Sequence, residues 1–207
     1  MGVDMKVAAL ILKKVEEIPK GEPFTSTQFL GLGSRASIDQ SLSRLIKKGV
    51  IARVTRGVFV RPEISRYVGK VIPGPNKVVE AYARVRGLTI QVHGAEAVRR
   101  FGLSTQMPVQ SVFYTSGPSK RFKLGELEVF LKHVSPKKLV CPRSKAGLAI
   151  TALWYLGKTN VNSKVIGTIK KKMLASEFQE LKVAIPLMPA WMADRFYLYE
   201  KEQRRTG

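Results

Sequence analysis

The sequence predicts an α+β fold, in which a small helical module with a β-hairpin is followed by a mixed α/β domain that ends in helices. Three observations predict it. First, apolar spacing changes from helical to strand-like between Ser34 and Arg61. Second, short helical and β-rich runs are mixed in the middle of the chain. Third, the last third is helical in pattern. In Ser34 to Arg61, Ile38, Leu42, Leu45 and Ile46 fall at i, i+4, i+7 and i+8, one buried stripe of a helix. Gly49 closes that helix as a left-handed cap. Val50–Val54 and Val58–Arg61 are β-rich and are separated by Thr55-Arg56-Gly57, a turn whose glycine accepts positive φ. A helix running into a basic hairpin is the order of a winged helix-turn-helix.

The preceding residues complete such a unit. Val7, Leu10, Ile11, Val15 and Ile18 repeat at helical spacing, so the pattern predicts a first helix from Asp4 to Ile18, capped near Asp4 and broken by Pro19 to Pro23. Thr25-Ser26-Thr27 is an N-cap cluster for a short second helix, Gln28-Phe29-Leu30, closed by Gly31-Leu32-Gly33. Helices this short do not hold in water alone, so their apolar stripes must pack on one another.

Pro62 to Pro75, with Gly69, Pro73 and Gly74, reads as an irregular segment. It divides the chain into 1–65, the winged unit, and 66–207, the α+β remainder. Within the latter, Asn76–Arg86 is helical, with Val78, Val79, Tyr82 and Val85 on one side and Gly87 at its end. Thr89–His93 is a short β-run, Ala95–Phe101 a short helix, and Val109–Thr115 a strand. Phe122–Leu124 and Leu127–Val134 form a hairpin about Gly125-Glu126, in a small antiparallel or mixed sheet. Ala146–Leu156 is apolar nearly all round, the pattern of a buried helix. Val165, Ile166, Ile169 and Met173 make an amphipathic helix with Lys164, Lys170, Lys171 and Lys172 opposite. Ser176 and Gln179 suit a capping box for a helix through Ala184, and Pro189-Ala190-Trp191 opens a last helix toward Glu200.

Composition narrows the function classes. The 207 residues carry 36 Lys and Arg against 15 Asp and Glu, a formal net charge of +21. A polyanion is the expected partner. With 44% hydrophobic residues the charge decorates a folded body and not a disordered tail. No apolar run approaches about 18 residues and no signal-peptide pattern opens the chain, so no membrane partner is expected. The single cysteine, Cys141, excludes an internal disulfide and fits a reducing, cytoplasmic setting; its plainest role is a small buried hydrophobe.

The candidate interface follows from the helix and hairpin. Between Ser34 and Pro62 stand seven basic residues, Arg35, Arg44, Lys47, Lys48, Arg53, Arg56 and Arg61, against the single acid Asp39. Opposite the apolar stripe lie Ala36, Ser37, Gln40, Arg44 and Lys47. These suit a major groove, because Gln pairs with adenine edges, Arg forks onto guanine and Ala meets a thymine methyl. Lys47, Lys48, Arg53 and Arg56 suit phosphates, with Arg56 at the wing tip flanked by Arg53 and Arg61. An amphipathic surface helix with merely solvated cations has the same pattern, and Ser37 with Gln40 also fits an internal capping box.

A second basic run holds Lys120, Arg121, Lys123, Lys132, Lys137, Lys138, Arg143 and Lys145 against Glu126 and Glu128. It is compatible with further DNA backbone, an RNA or an acidic protein, and equally with a solvated sheet edge protected by lysines. Catalysis is not expected. The three aspartates, Asp4, Asp39 and Asp194, sit where caps or surface faces explain them. His93 and His133 lack partners at metal-ligand spacing, and no glycine-rich phosphate loop is present, so neither metal nor cofactor is expected. Glu126 and Glu128 before Lys132 only faintly suggest a nuclease strand, and no aspartate accompanies them. No coiled-coil seam is present, so a monomer or weak dimer is expected.

Four segments resemble the AbiEi-type antitoxins of abortive-infection toxin-antitoxin systems: Phe24–Pro62, the HGAEAVRRFGLSTQMP block at His93–Pro108, VFYTSGPSKRFKLG at Val112–Gly125, and ALWYLG at Ala152–Gly157. The resemblance implies a transcriptional repressor whose winged domain binds inverted repeats in its own promoter, and a C-terminal domain that counters a nucleotidyltransferase toxin. Carried over here, the DNA-binding positions are Arg35, Ser37, Gln40, Arg44, Arg53 and Arg56; no residues are carried over for the toxin-facing surface, for which the second basic run is the expectation from charge. The alternatives are an RNA-binding or nuclease-like protein acting through the second domain, and a regulator without a toxin partner.

Overall fold

Val7, Ile11 and Val15 repeat at helical spacing and are buried along one face of α1 (Gly2–Glu17), while Leu10, expected in the same stripe, is 43% exposed. The helix begins before Asp4, the expected cap. The computed structural model describes residues 2–65, 69–71, 73–124 and 126–206. After α1, β1 (Pro23–Thr25) leads into a single 3-10 turn, Ser26–Phe29. The expected second helix, Gln28–Leu30, is thus a 3-10 turn that begins two residues earlier and ends one residue sooner, and Thr25, expected in its N-cap cluster, is also the last residue of β1. Next come α2 (Arg35–Lys47), β2 (Ala52–Thr55) and β3 (Val58–Val60). These three strands form an antiparallel sheet in the order β1-β3-β2, with Phe24 opposite Phe59 and Arg53 also opposite Phe59.

The core of this part closes on Val7, Ile11 and Val15 from α1, Ile38, Leu42 and Leu45 from α2, and an aromatic trio. Phe24 meets Phe29 edge-on at 5.9 Å between centroids, and Phe59 at the same distance with the rings tilted. Burying each such ring contributes roughly 1.5–3 kcal/mol. That packing is what holds helices too short to persist by themselves.

The segment read as irregular contains two paired strands, β4 (Glu63–Ser65) and β5 (Gly69–Val71). Its glycines and prolines obscured two three-residue β-runs. Residues 66–68 and 72 lie outside the described residues. Then α3 (Pro75–Arg86) buries Val78, Val79 and Tyr82 and ends at Gly87.

The chain forms two compact units, which divide it elsewhere than at residue 65. One comprises 1–88 with 122–128, the other 89–121 with 129–207. Helix α3 belongs to the first unit because it packs against β1 and β3.

In the second unit, β6 (Ile90–Val92) is followed by α4 (Gly94–Arg100) and β7 (Ser111–Thr115); Val109, expected in that strand, precedes it and is 98% exposed. Strands β8 (Lys120–Leu124) and β9 (Leu127–His133) complete a four-stranded sheet ordered β6-β7-β9-β8. The sheet is mixed: β6 and β7 are antiparallel, β7 and β9 parallel. Gly125, expected at the hairpin turn, lies outside the described residues.

Four helices follow. In α5 (Lys145–Leu156) every residue from Ala146 to Leu153 is buried, as its nearly continuous apolar pattern requires, and the one polar side chain among them, Thr151, donates to the Gly147 carbonyl at 2.8 Å. The next, α6 (Ser163–Lys171), buries Ile166 and Ile169 and leaves Lys164, Lys170 and Lys171 exposed. Helix α7 (Ala175–Val183) starts earlier than expected. Its first turn is closed by Glu177, which accepts from the Leu174 backbone N–H at 2.7 Å, and not by Ser176 with Gln179. The last helix, α8 (Ala190–Thr206), runs past Glu200. Among the described residues no helix is long and apolar enough to cross a membrane.

Candidate nucleic-acid interface

Helix α2 is positioned by its cap and its buried stripe. Ser34 is the N-cap, its hydroxyl accepting the Ser37 backbone N–H at 3.2 Å. The Ser37 and Gln40 capping box is thereby displaced: the cap stands three residues earlier, and Gln40 is left exposed on the helix surface. Ile38, Leu42 and Leu45 turn into the core, which forces Ala36, Gln40, Arg44 and Lys47 outward; all four are exposed, and Ser37 is half-buried. Lys48 is the C-cap, with Gly49 following at positive φ. Arg35 is engaged, its guanidinium 3.0 Å from the Asp39 carboxylate. That pair neutralises the one acid on α2.

The hairpin lies in the same unit. Its turn is Arg56-Gly57, with Gly57 at φ +84°, a backbone that an L side chain would strain. Thr55, expected in the turn, belongs to β2. The register shifts between Arg53 and Thr55, a β-bulge at Val54. Arg53 and Arg56 are both exposed, and the Arg53 guanidinium lies over the Phe59 ring at 5.6 Å.

Arg61, expected beside the wing tip, is elsewhere. Its guanidinium donates to the carbonyl oxygens of Glu16 and Ile18 at 2.6 and 2.7 Å. Helix C-termini leave such carbonyls without partners, and a cation there also complements the helix dipole. The cation beside the tip comes instead from α3. Arg86 donates to the Arg56 carbonyl at 3.4 Å and stacks over Tyr82 at 4.0 Å, and Tyr82 stacks on Phe122 at 5.8 Å. Local sequence reading missed Arg86, because nothing in spacing ties residue 86 to residue 56.

The second basic run is divided. Lys123 belongs to the first unit, while Lys120, Arg121 and Lys132 line a groove of about 320 Å³ in the second. Lys137 and Lys138 stand on a separate 3-10 turn, Pro136–Lys138, with the Lys138 ammonium 5.2 Å from the centre of the Trp154 ring. Strand β8 is an edge of the sheet, the place where lysines also guard against strand addition.

The HGAEAVRRF block is a packing motif. His93 caps α4, its Nδ1 accepting the Ala95 N–H at 3.3 Å, between Tyr114 and Tyr155 at 5.0 and 5.5 Å. Burial, and then the Lys132 charge, hold its pKa below the ordinary value. Glu96 takes two bonds from Arg99 and one from Arg100, all at 2.7–2.8 Å. Those hydrogen bonds, the one from Arg99 first, lower its pKa to about 2. A Cβ on Gly94 would strike the Tyr155 side chain. The His93–Pro108 and Ala152–Gly157 segments thus meet where α4 packs on α5.

Other candidate groups are scattered. His133 Nδ1 lies 2.9 Å from the Gly117 carbonyl oxygen, and Glu126 and Glu128 are exposed. Cys141 is partly exposed, at φ +48°, with its thiol pKa raised by burial and then by Glu180. Among the described residues no group of three or more His, Cys, Asp or Glu could hold a metal ion.

A family model described as a family of unknown function (DUF6088) matches residues 10–181. No curated protein and no solved structure matches the chain.

Proposed function

The chain belongs to this family of unknown function, and we propose that its first unit is a winged helix-turn-helix that binds duplex DNA and represses transcription. One observation carries the reading. Within a single compact unit, α2 exposes Ala36, Gln40, Arg44 and Lys47, and the following hairpin exposes Arg53 and Arg56. A recognition helix reads base edges with its outward face, while a wing and flanking lysines hold phosphates. Arg44 and Gln40 read bases in this scheme, and Lys47, Lys48, Arg53 and Arg56 fix the register. Arg35, paired with Asp39, stiffens the helix start, and Arg61 is structural.

The resemblance to AbiEi-type antitoxins supports the wider role: binding as monomers to inverted repeats in the protein's own promoter, and countering a nucleotidyltransferase toxin made by an adjacent gene. The promoter test is titration with a duplex from the upstream region and with a shuffled duplex, across salt. Specific binders keep a preference of roughly 10³-fold or more at physiological salt. Equal affinities that fall together with salt would be phosphate-only binding and would overturn the repressor reading. The toxin limb is tested by co-expression with any neighbouring nucleotidyltransferase gene; growth that stays arrested removes it.

A further inference from the structure

The second unit carries a cationic groove that the duplex-binding surface does not use. Side chains alternate across a strand, and burial marks the two faces of this sheet. Phe113 and Thr115 on β7 and Val129 and Leu131 on β9 are buried. Val112, Tyr114 and Phe130 on the opposite face are half-buried, and Lys132 is exposed. The parallel register sets Val112 beside Phe130 and Tyr114 beside Lys132. From the edge strand, the Arg121 guanidinium lies over the Phe130 ring at 4.2 Å. The ring supports one face of the cation, and the exposed side chain leaves the other toward solvent.

Among the described residues, three cations, Lys120, Arg121 and Lys132, line this groove of about 320 Å³, and no carboxylate does. The volume suits one planar base or a nucleotide-sized group. An apolar floor with a supported guanidinium and flanking ammonium groups has the chemistry of a stacking platform between phosphate sites. A duplex does not offer this face a free base, because its bases are already stacked and paired.

We infer that the groove of Lys120, Arg121, Phe130 and Lys132 binds a single-stranded segment of nucleic acid, one base stacking on the Arg121 guanidinium and the adjoining phosphates meeting Lys120 and Lys132. This site is independent of the first unit's reading. The occupant follows from charge complementarity and from the planar, supported guanidinium. An acidic protein would satisfy the lysines but not the stacking surface.

The test uses the full chain carrying Arg44→Ala and Arg53→Ala, which weakens the α2 and hairpin surface. Fluorescence anisotropy is read with labelled oligo-U, oligo-dT and a mixed-sequence duplex. The single strands bind more tightly than the duplex, and Arg121→Ala weakens them by about fivefold or more, the loss of one stacked base. Lys132→Ala lowers the salt slope by about one phosphate. Oligo-U favoured over oligo-dT makes RNA the occupant, equal affinities make the sugar irrelevant, and either supports the inference. Phe130→Leu, which keeps apolar volume but removes the ring, also weakens binding; should it unfold, the exposed Arg121 and Lys132 variants carry the test. Single-strand affinity that is absent, no greater than that of duplex, or unmoved by both variants overturns the inference.

Discussion

The Arg61 guanidinium donates to the Ile18 carbonyl at 2.7 Å, tying the end of the hairpin to the end of α1. The same nitrogen reaches the Glu16 carbonyl. One side chain thereby satisfies two helix-terminal acceptors and anchors β3, the middle strand of the sheet. Hydrogen bonds from charged donors are worth roughly 1.5–3 kcal/mol, less where solvent competes. Arg61→Ala therefore lowers stability by about 1–2 kcal/mol in urea unfolding. An unchanged midpoint would mean that Arg61 does not anchor the hairpin.

In the proposed DNA-binding surface, Arg44 and Lys47 separate sequence reading from phosphate binding, although both lie on the exposed face of α2. Arg44→Ala costs about 1–3 kcal/mol on the preferred duplex and much less on a shuffled one. Lys47→Ala weakens both duplexes alike and reduces the salt slope by about one. The same loss on both duplexes from Arg44→Ala would remove it from base recognition.

Gly94 is required by Tyr155. A methyl there meets the base of the tyrosine side chain, not its mobile tip, so the clash is relieved only by moving helix against helix. Gly94→Ala costs about 1–3 kcal/mol, the usual range for overpacking. Tyr155→Gly in the same chain, which also removes the Cβ that the methyl meets, recovers most of it, a coupling that a double-mutant cycle measures. Additive losses would contradict the clash.

Glu96 carries a pH signature. Its folded pKa, about 2, lies below the ordinary 4.5, so its contribution is fully present above pH 4.5 and is lost as pH falls toward 2. After screening by solvent that contribution is about 1 kcal/mol or less. Glu96→Gln should lower the melting temperature at neutral pH and converge with the parent near pH 2. Curves separated equally at both ends would rule out the ion pair as the cause.

How much of this was legible depended on how local each feature is. The stripe of α2, the Arg56-Gly57 turn, the buried α5 and the Gly87 stop all arise within a few residues, where periodicity and positive φ leave a direct mark. The strand at Pro23–Thr25 left no mark before the short helix expected at Gln28–Leu30, because the pairing of Phe24 with Phe59 joins residues thirty-five positions apart. β4 and β5 were missed because three-residue strands beside glycine and proline have too few alternations to register.

The sequence by itself determined an α+β chain of high positive charge, the inward and outward faces of its amphipathic helices, and the identities of the residues able to meet a polyanion. Burial periodicity and charge are properties of neighbouring residues, and no distant partner is needed to read them. Only the tertiary structure decided which cations share a surface. It tied Arg61 to the end of α1, brought Arg86 to the Arg56 carbonyl, and laid Arg121 on Phe130. Those relationships are set by strand register and helix packing between residues far apart in the chain, and spacing along the sequence carries no record of them.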